Sequence, residues 1–316
     1  MRIESGFMGA ILRRLAAAHI RLAPPQSCGE SRMAGGRAAP RFALELQQSR
    51  GRTMKTREQQ NSSPATAPRY ETGPIVVGSD GSPGGDDAVA VATDLAGTSS
   101  RKIVAENMPA TVTPSVALVG LAEREGAGTL VVGSPHRGRV GRALLGSVAH
   151  HVLHHAPCEV VVAPRGYAEH RRHGIEKIAV AFDGTDEART ALRRAEALAR
   201  ETGAALHVIV AEDPVVAGIE GGEEFSPKTN AAAVLEKALA SIPSSIEADG
   251  ETLKPGWRQA SNSIATAIAT ACGDDIDVLV AGSRRPLDRF LLGSVTSHLI
   301  DLAPCAVLVV PHEDGS

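Results

Sequence analysis

The sequence predicts an α/β fold: two doubly wound parallel-sheet domains in tandem, the first lacking one strand–helix unit. Three observations carry this. The first is an internal repeat, in which Gly146 matches Gly293, Cys158 matches Cys305 and Pro164 matches Pro311, all 147 residues apart. The second is a series of short apolar runs bounded by glycine, the pattern of parallel strands covered on both faces. The third is the alternation of those runs with segments of helical periodicity, which a parallel sheet needs as crossovers.

The chain opens with a stretch unlike the rest. Up to Arg52 it holds nine arginines, no lysine and three acids. The apolar run Met8–Leu12 is cut by Arg13-Arg14, too early for a signal-peptide core. An amphipathic helix is expected around Gly9–Leu22, and residues 55–72 read as a flexible linker, so residues 1–72 are expected to be a disordered extension. Met54 stands directly before that linker, and the native start is expected there, with 1–53 an over-extended reading frame.

The first domain, residues 73–165, begins with a strand at Ile75–Val77. Asp80-Gly-Ser-Pro83 then provides an N-cap at Ser82 and proline at the first helical position, with the helix running through Asp87–Leu95. The second domain, residues 174–312, opens the same way: a strand from Lys177, then Asp183-Gly-Thr185 and a helix over Asp186–Arg200. There Ala188, Ala191, Leu192, Ala195, Leu198 and Ala199 share one face. Leu206–Ala211 is its second strand, Ala231–Ala240 a helix, Glu251–Leu253 a weak third strand and Ile264–Ala271 a third helix. Val278–Ala281, a helix over Ser294–Asp301 and the strand Ala306–Val310 complete it.

The repeat also locates a deletion. The offset is 103 at Asp80/Asp183 and 149 at Gly133/Gly282, so 46 residues are missing from the first copy. Ala96 still aligns with Ala199, while Lys102 aligns with Glu251. The expected loss is the second strand and its helix, with Ile103-Val104 and Pro114–Glu123 standing for the third strand and third helix. The first domain is therefore expected to be the less stable half.

In each copy a strand ends at glycine, a basic loop follows, and Gly-Ser opens a helix: Gly133-Ser134 to Gly146-Ser147-Val148, and Gly282-Ser283 to Gly293-Ser294. Such a helix start presents unpaired N–H groups where an anion would sit. No Walker loop and no Gly-x-Gly-x-x-Gly fingerprint is present.

These residues resemble the universal stress protein family, which carries Gly-x2-Gly-x9-Gly-Ser/Thr after its fourth strand and an Ala-Pro-Cys ending like Ala156-Pro157-Cys158. The likeness covers roughly residues 73–312. It implies an adenine nucleotide alpha hydrolase-like fold, a role as a stress-response regulatory module rather than an enzyme, and ATP or another adenine nucleotide as ligand. It also implies cofactor-binding roles for Asp80, Gly133, Ser134, Gly146, Ser147, Val148, Asp183, Gly282, Gly293 and Ser294. An acid at Asp80 or Asp183 contacts the nucleoside in the family; equally, it can be a plain Asx-turn residue. The alternative is a nucleotide-free partner-binding protein of the same fold. His136 replaces the family's second glycine, and the second loop is two residues shorter. Gly133, Ser134, Gly146 and Ser147 keep the family's spacing with three arginines nearby, whereas the second loop is shortened. The first site is therefore expected to outrank the second despite His136, and although it lacks the second-strand wall, which the second domain keeps at Ile209-Val210.

Other chemistry is weaker. His150, His151, His154 and His155 pair at i,i+4, a spacing that can chelate zinc, but a third ligand is not evident and a solvated helix face is preferred. No catalytic residue and no metal site is expected. The near-balance of 33 basic and 36 acidic residues and the eight aromatics argue against nucleic-acid binding. No apolar run reaches 18 residues, so no membrane span is expected. Four cysteines without a Cys-x-x-Cys pair suggest reduced core thiols in a cytoplasmic protein. The last strands, Glu159–Val162 and Ala306–Val310, are apolar edges expected to pair, either within the chain as a pseudo-dimer or between chains as a homodimer of tandems.

Overall fold

The structure, a computed structural model, describes residues 21–22, 73–97, 101–107, 113–134, 146–170, 174–212, 230–254, 260–283 and 292–311. All of them belong to one compact unit. The strands are β1 (Arg21–Leu22), β2 (Ile75–Ser79), β3 (Ile103–Asn107), β4 (Thr129–Gly133), β5 (Glu159–Ala163), β6 (Lys177–Ala181), β7 (Ala205–Ala211), β8 (Ala248–Leu253), β9 (Val278–Ser283) and β10 (Ala306–Pro311). The helices are α1 (Pro83–Ala96), α2 (Pro114–Glu125), α3 (Ser147–His155), α4 (Tyr167–His170), α5 (Asp186–Thr202), α6 (Ala231–Ser241), α7 (Ala260–Cys272) and α8 (Ser294–Leu302).

The strands form one ten-stranded sheet in the order β1-β3-β2-β4-β5-β10-β9-β6-β7-β8. Every pairing is parallel except that of β5 with β10, where Val162 lies opposite Val307 and Val160 opposite Val309. The two last strands therefore pair within the chain, as their apolar edges led us to expect. Alternate strand residues face opposite sides, so Ile75 and Val77 join one core and Val76 another. The first core runs under α1, α5 and α6 across both halves. The other face is covered by α2 and α3 in the first half and by α7 and α8 in the second.

The register relocates the deletion. Ile103 lies beside Ile75, and Leu206 lies beside Ile178, so the offset of 103 persists through β3 and β7. The second strand is present, and the missing unit is the counterpart of α6 and β8. The sequence misassigned it because a short apolar run such as Ile103-Val104-Ala105 fits either strand. Loss at the sheet's edge leaves the inner ladders intact, whereas loss of an inner strand would not. In place of β8, Arg21–Leu22 lies parallel on Val104 and Ala105. Those two residues are strand rather than the end of a helix; the rest of the expected Gly9–Leu22 helix lies outside the described residues.

The segment between the two halves, at Gly166–Ala168, is built onto α1. The buried Asp87 carboxylate accepts from the Gly166 N–H (2.9 Å) and the Ala168 N–H (2.8 Å). The Tyr167 hydroxyl meets Asp94 at 3.1 Å.

Candidate functional site

β6 is flanked by β7 on one side and β9 on the other, so the chain order reverses at its carboxyl end. Open α/β sheets take ligands at such a point. A cavity of about 650 Å³ lies there, within the range of small-molecule sites, roughly 300–1,000 Å³. It brings together Asp183, Gly282, Gly293 and Ser294, four residues the sequence assigned to the second site. Its apolar wall is Phe182, Val210, Ala211, Ile264, Ile268 and Leu299. Of these the sequence named only Val210 as wall; Ile209 instead packs with Ala265 and Ile268 on the opposite sheet face. Ile264 and Ile268, one turn apart on a predicted helix, were the available signal for the rest.

α1 and α3 start at strand ends of the first half and α5 and α8 at strand ends of the second, and the four differ in how they are capped. Ser82 accepts from the Gly85 N–H at 3.3 Å, and Thr185 from the Ala188 N–H at 3.2 Å, so α1 and α5 are closed by side chains. α3 and α8 start at Gly146 and Gly293, which cannot cap; their first helical bonds are His150 N–H to Gly146 O and Ser297 N–H to Gly293 O. The N–H groups before these bonds have no intrahelical acceptor and carry the positive end of the helix dipole. Ser147 and Ser294 are exposed at those ends, while Val148 is half-buried and packs onto the core.

The glycines divide by cause. A Cβ on Gly282 would lie 2.6 Å from the Glu187 carbonyl oxygen, and one on Gly133 would overlap that of Gly84. Both are glycine because the first turn of a helix rests on the strand end, not because a ligand approaches. Gly293 has φ −61° and ψ 154°, which any residue adopts, and a Cβ there would meet nothing closer than the Thr296 hydroxyl at 4.0 Å. Protein packing leaves that position open. Ser134 and Ser283 are tied into the sheet, Ser134 N–H to Ala163 O at 3.0 Å and Ser283 Oγ to Val310 O at 3.4 Å. Thr296 Oγ1 bonds Gly282 O at 3.0 Å and so ties α8 to β9.

Both aspartates form Asx turns. Asp80 Oδ1 accepts from the Ser82 N–H at 2.9 Å, and Ser82 holds its carboxyl below the usual range against the opposing effect of burial. Asp183 Oδ1 accepts from both the Thr185 N–H (3.0 Å) and the Thr185 hydroxyl (2.6 Å). Both side chains are exposed, and among the described residues each Oδ2 is left for other partners.

The loops carrying His136, Arg137, Arg139 and Arg142, and Arg284-Arg285, lie outside the described residues. The histidines of α3 pair as expected, with ring centroids 4.5 Å apart for His150/His154 and 4.1 Å for His151/His155. Slight burial and then the neighbouring imidazoles lower the pKa of His151. Among the described residues no group of three side chains is placed to hold a metal, and no helix is long and apolar enough to cross a membrane.

The fold and cavity define a doubly wound α/β protein with an open cavity at its switch point. The universal stress protein family model matches residues 106–164 and 174–311, and the chain belongs to that family. It is 28% identical over 207 residues to a universal stress protein of Mycobacterium bovis and to one of Mycobacterium tuberculosis, covering 62% of this chain and 68% of each relative. A universal stress protein from Archaeoglobus fulgidus shares the fold, with a TM-score of 0.53 and 17% identity over 78% of this chain and 99% of its own. The matched segments omit β2, α1 and most of β3, which nevertheless repeat β6, α5 and β7 in register.

Proposed function

We propose that the chain binds an adenine nucleotide, ATP foremost, in the second-half cavity and acts as a stress-response regulatory module rather than a metabolic enzyme. The observation that carries this is the cavity itself, with an uncapped helix start at one end and an apolar wall at the other. The N–H groups of Ser294 and Val295 and the Ser294 hydroxyl would hold phosphate oxygens. Val210, Ile264 and Ile268 would cover the base, and Asp183 Oδ2 would accept from ribose hydroxyls. This inverts the order expected from loop spacing. The first half also keeps its second strand, but residues 135–145 of its loop lie outside the described residues, so the cavity described in the second half supports this reading. The three described cysteines are buried free thiols, which fits a reducing compartment and hence the cytoplasm.

The test is to denature freshly purified protein, identify released nucleotide by chromatography, and titrate the emptied protein with ATP. A stoichiometric adenine nucleotide, or saturable ATP binding after its removal, is the expected result. Neither released nucleotide nor saturable binding would favour the partner-binding alternative.

A further inference from the structure

The sheet ends in two unlike edges. In the second half β8 closes β7 over six residues. His207 of β7 also holds that strand through its side chain, 2.6 Å from Asp249 and 3.2 Å from Glu251. β8 itself leaves Asp249 and Thr252 exposed, and charged or polar side chains on an outermost strand discourage further pairing. Among the described residues the first half has no counterpart of α6 and β8. The register sets Val104 beside Val76 and His207 beside Ala179, which makes Val104 the counterpart of His207. The strand without a β8 therefore also lacks the side chain that would hold one. Ile103, Val104 and Ala105 are all buried, with no charge among them.

Two residues nevertheless sit on that outer edge. Arg21 lies parallel beside Val104 and Leu22 beside Ala105, hydrogen-bonded into the sheet. We propose that the outer edge of β3 is a strand-docking site, and that its occupant is this chain's own N-terminal segment around Arg21–Leu22.

A strand added to an open edge is held by main-chain hydrogen bonds, so reach matters more than side-chain fit. Reach is ample. β1 and β2 lie on opposite sides of β3, about 10 Å apart, and a five-residue strand is about 17 Å long. The connection from Leu22 to Ile75 has 52 residues to cover both distances. Covalent connection also gives this segment an effective concentration that a separate peptide or a second copy must exceed. A chain beginning at Met54 would leave the edge bare.

The test uses the full chain with Arg21→Cys and Val104→Cys, a pair in register across the edge, in a Cys28→Ser background. After mild oxidation and alkylation of the remaining thiols, peptide mapping without reductant should show positions 21 and 104 linked. A mixture of isotope-labelled and unlabelled chains should give links within one chain only. A second variant needs no disulfide: Arg21→Pro with Leu22→Pro removes the N–H groups of β1. Outward-facing amides of β3 should then exchange about tenfold or more faster than in the wild type, with those of β7 unchanged. Positions 21 and 104 left unlinked, or β3 amides equally protected in the proline variant, would overturn the proposal. Links between labelled and unlabelled chains would overturn it as well, since they would put a second copy on the edge.

Discussion

Where the two halves meet, Arg101, Thr129, Glu159 and Arg194 form a buried polar chain, whereas their counterparts by the repeat, Ala204, Val278, Ala306 and Val91, share one apolar cluster. In the polar version Arg101 Nη2 donates to Thr129 Oγ1 at 2.6 Å, and that hydroxyl donates to Glu159 Oε1 at 2.6 Å. Arg194 holds both Glu159 oxygens, at 2.7 and 3.0 Å, and reaches Glu201 at 3.8 Å. Burial lowers the Arg101 guanidinium from its ordinary value, and Glu159 opposes that shift. The same fold thus tolerates either chemistry at these four places. The difference lies in specificity. Pairing two first halves would set Glu159 against Val91, and pairing two second halves would set Arg194 against Ala306. Only unlike halves bring a guanidinium onto both oxygens of Glu159, which favours pairing within one chain.

The largest effect should come from breaking that chain on one side. Glu159→Ala leaves Arg194 buried without its carboxylate and should cost about 3–5 kcal/mol in urea denaturation. Adding Arg194→Val, so that the polar side copies its apolar twin, should recover most of that loss. If the single variant unfolds like wild type, the ionic half of the comparison carries no specificity.

The strands and helices were largely legible because each obeys a local rule: period two or continuous apolarity for strands, one apolar face and a cap for helices. The pairing of β5 with β10 followed from two apolar edges needing cover. The deletion was misplaced because strand identity depends on register, which Ile103-Val104 alone cannot declare. Arg194 sits on a helix whose apolar face was read correctly, yet its partner is 35 residues away on β5. A long-range buried ion pair leaves no periodic trace. The site glycines were found, but for Gly133 and Gly282 the cause is helix packing, visible only once α1 and α5 are placed.

Those glycines give the next effect in size. Gly282→Ala should cost about 1–3 kcal/mol by overpacking, and Gly133→Ala should lie at or above the top of that range. Thermal denaturation of both variants checks the order. An Ala at Gly133 that leaves the melting temperature unchanged would mean that α1 does not rest on β4 as described.

The sheet's two ends should differ more gently. Among the described residues, β3 is covered along its outer edge by two residues of β1, whereas β7 is covered by six residues of β8. Amides of β3 should therefore exchange about tenfold or more faster than those of β7 in native-state hydrogen exchange. Equal protection would show that the shortened half is as firmly closed as the complete one.

The central claim, that the second half holds the nucleotide, is tested most directly by ATP titration of Gly293→Val beside Gly146→Val. The two glycines start equivalent helices with nearly identical backbone angles, φ −61° and ψ 154° against φ −66° and ψ 155°, so a valine strains the backbone at neither, and thermal denaturation of both variants checks that each folds. Gly293→Val should weaken ATP binding by about a hundredfold or more, the loss of two hydrogen bonds to charged phosphate at about 1.5 kcal/mol each. Gly146→Val should leave affinity within about threefold of wild type, a difference under 1 kcal/mol. Loss of binding in Gly146→Val with Gly293→Val unaffected would contradict the account and return the site to the first half.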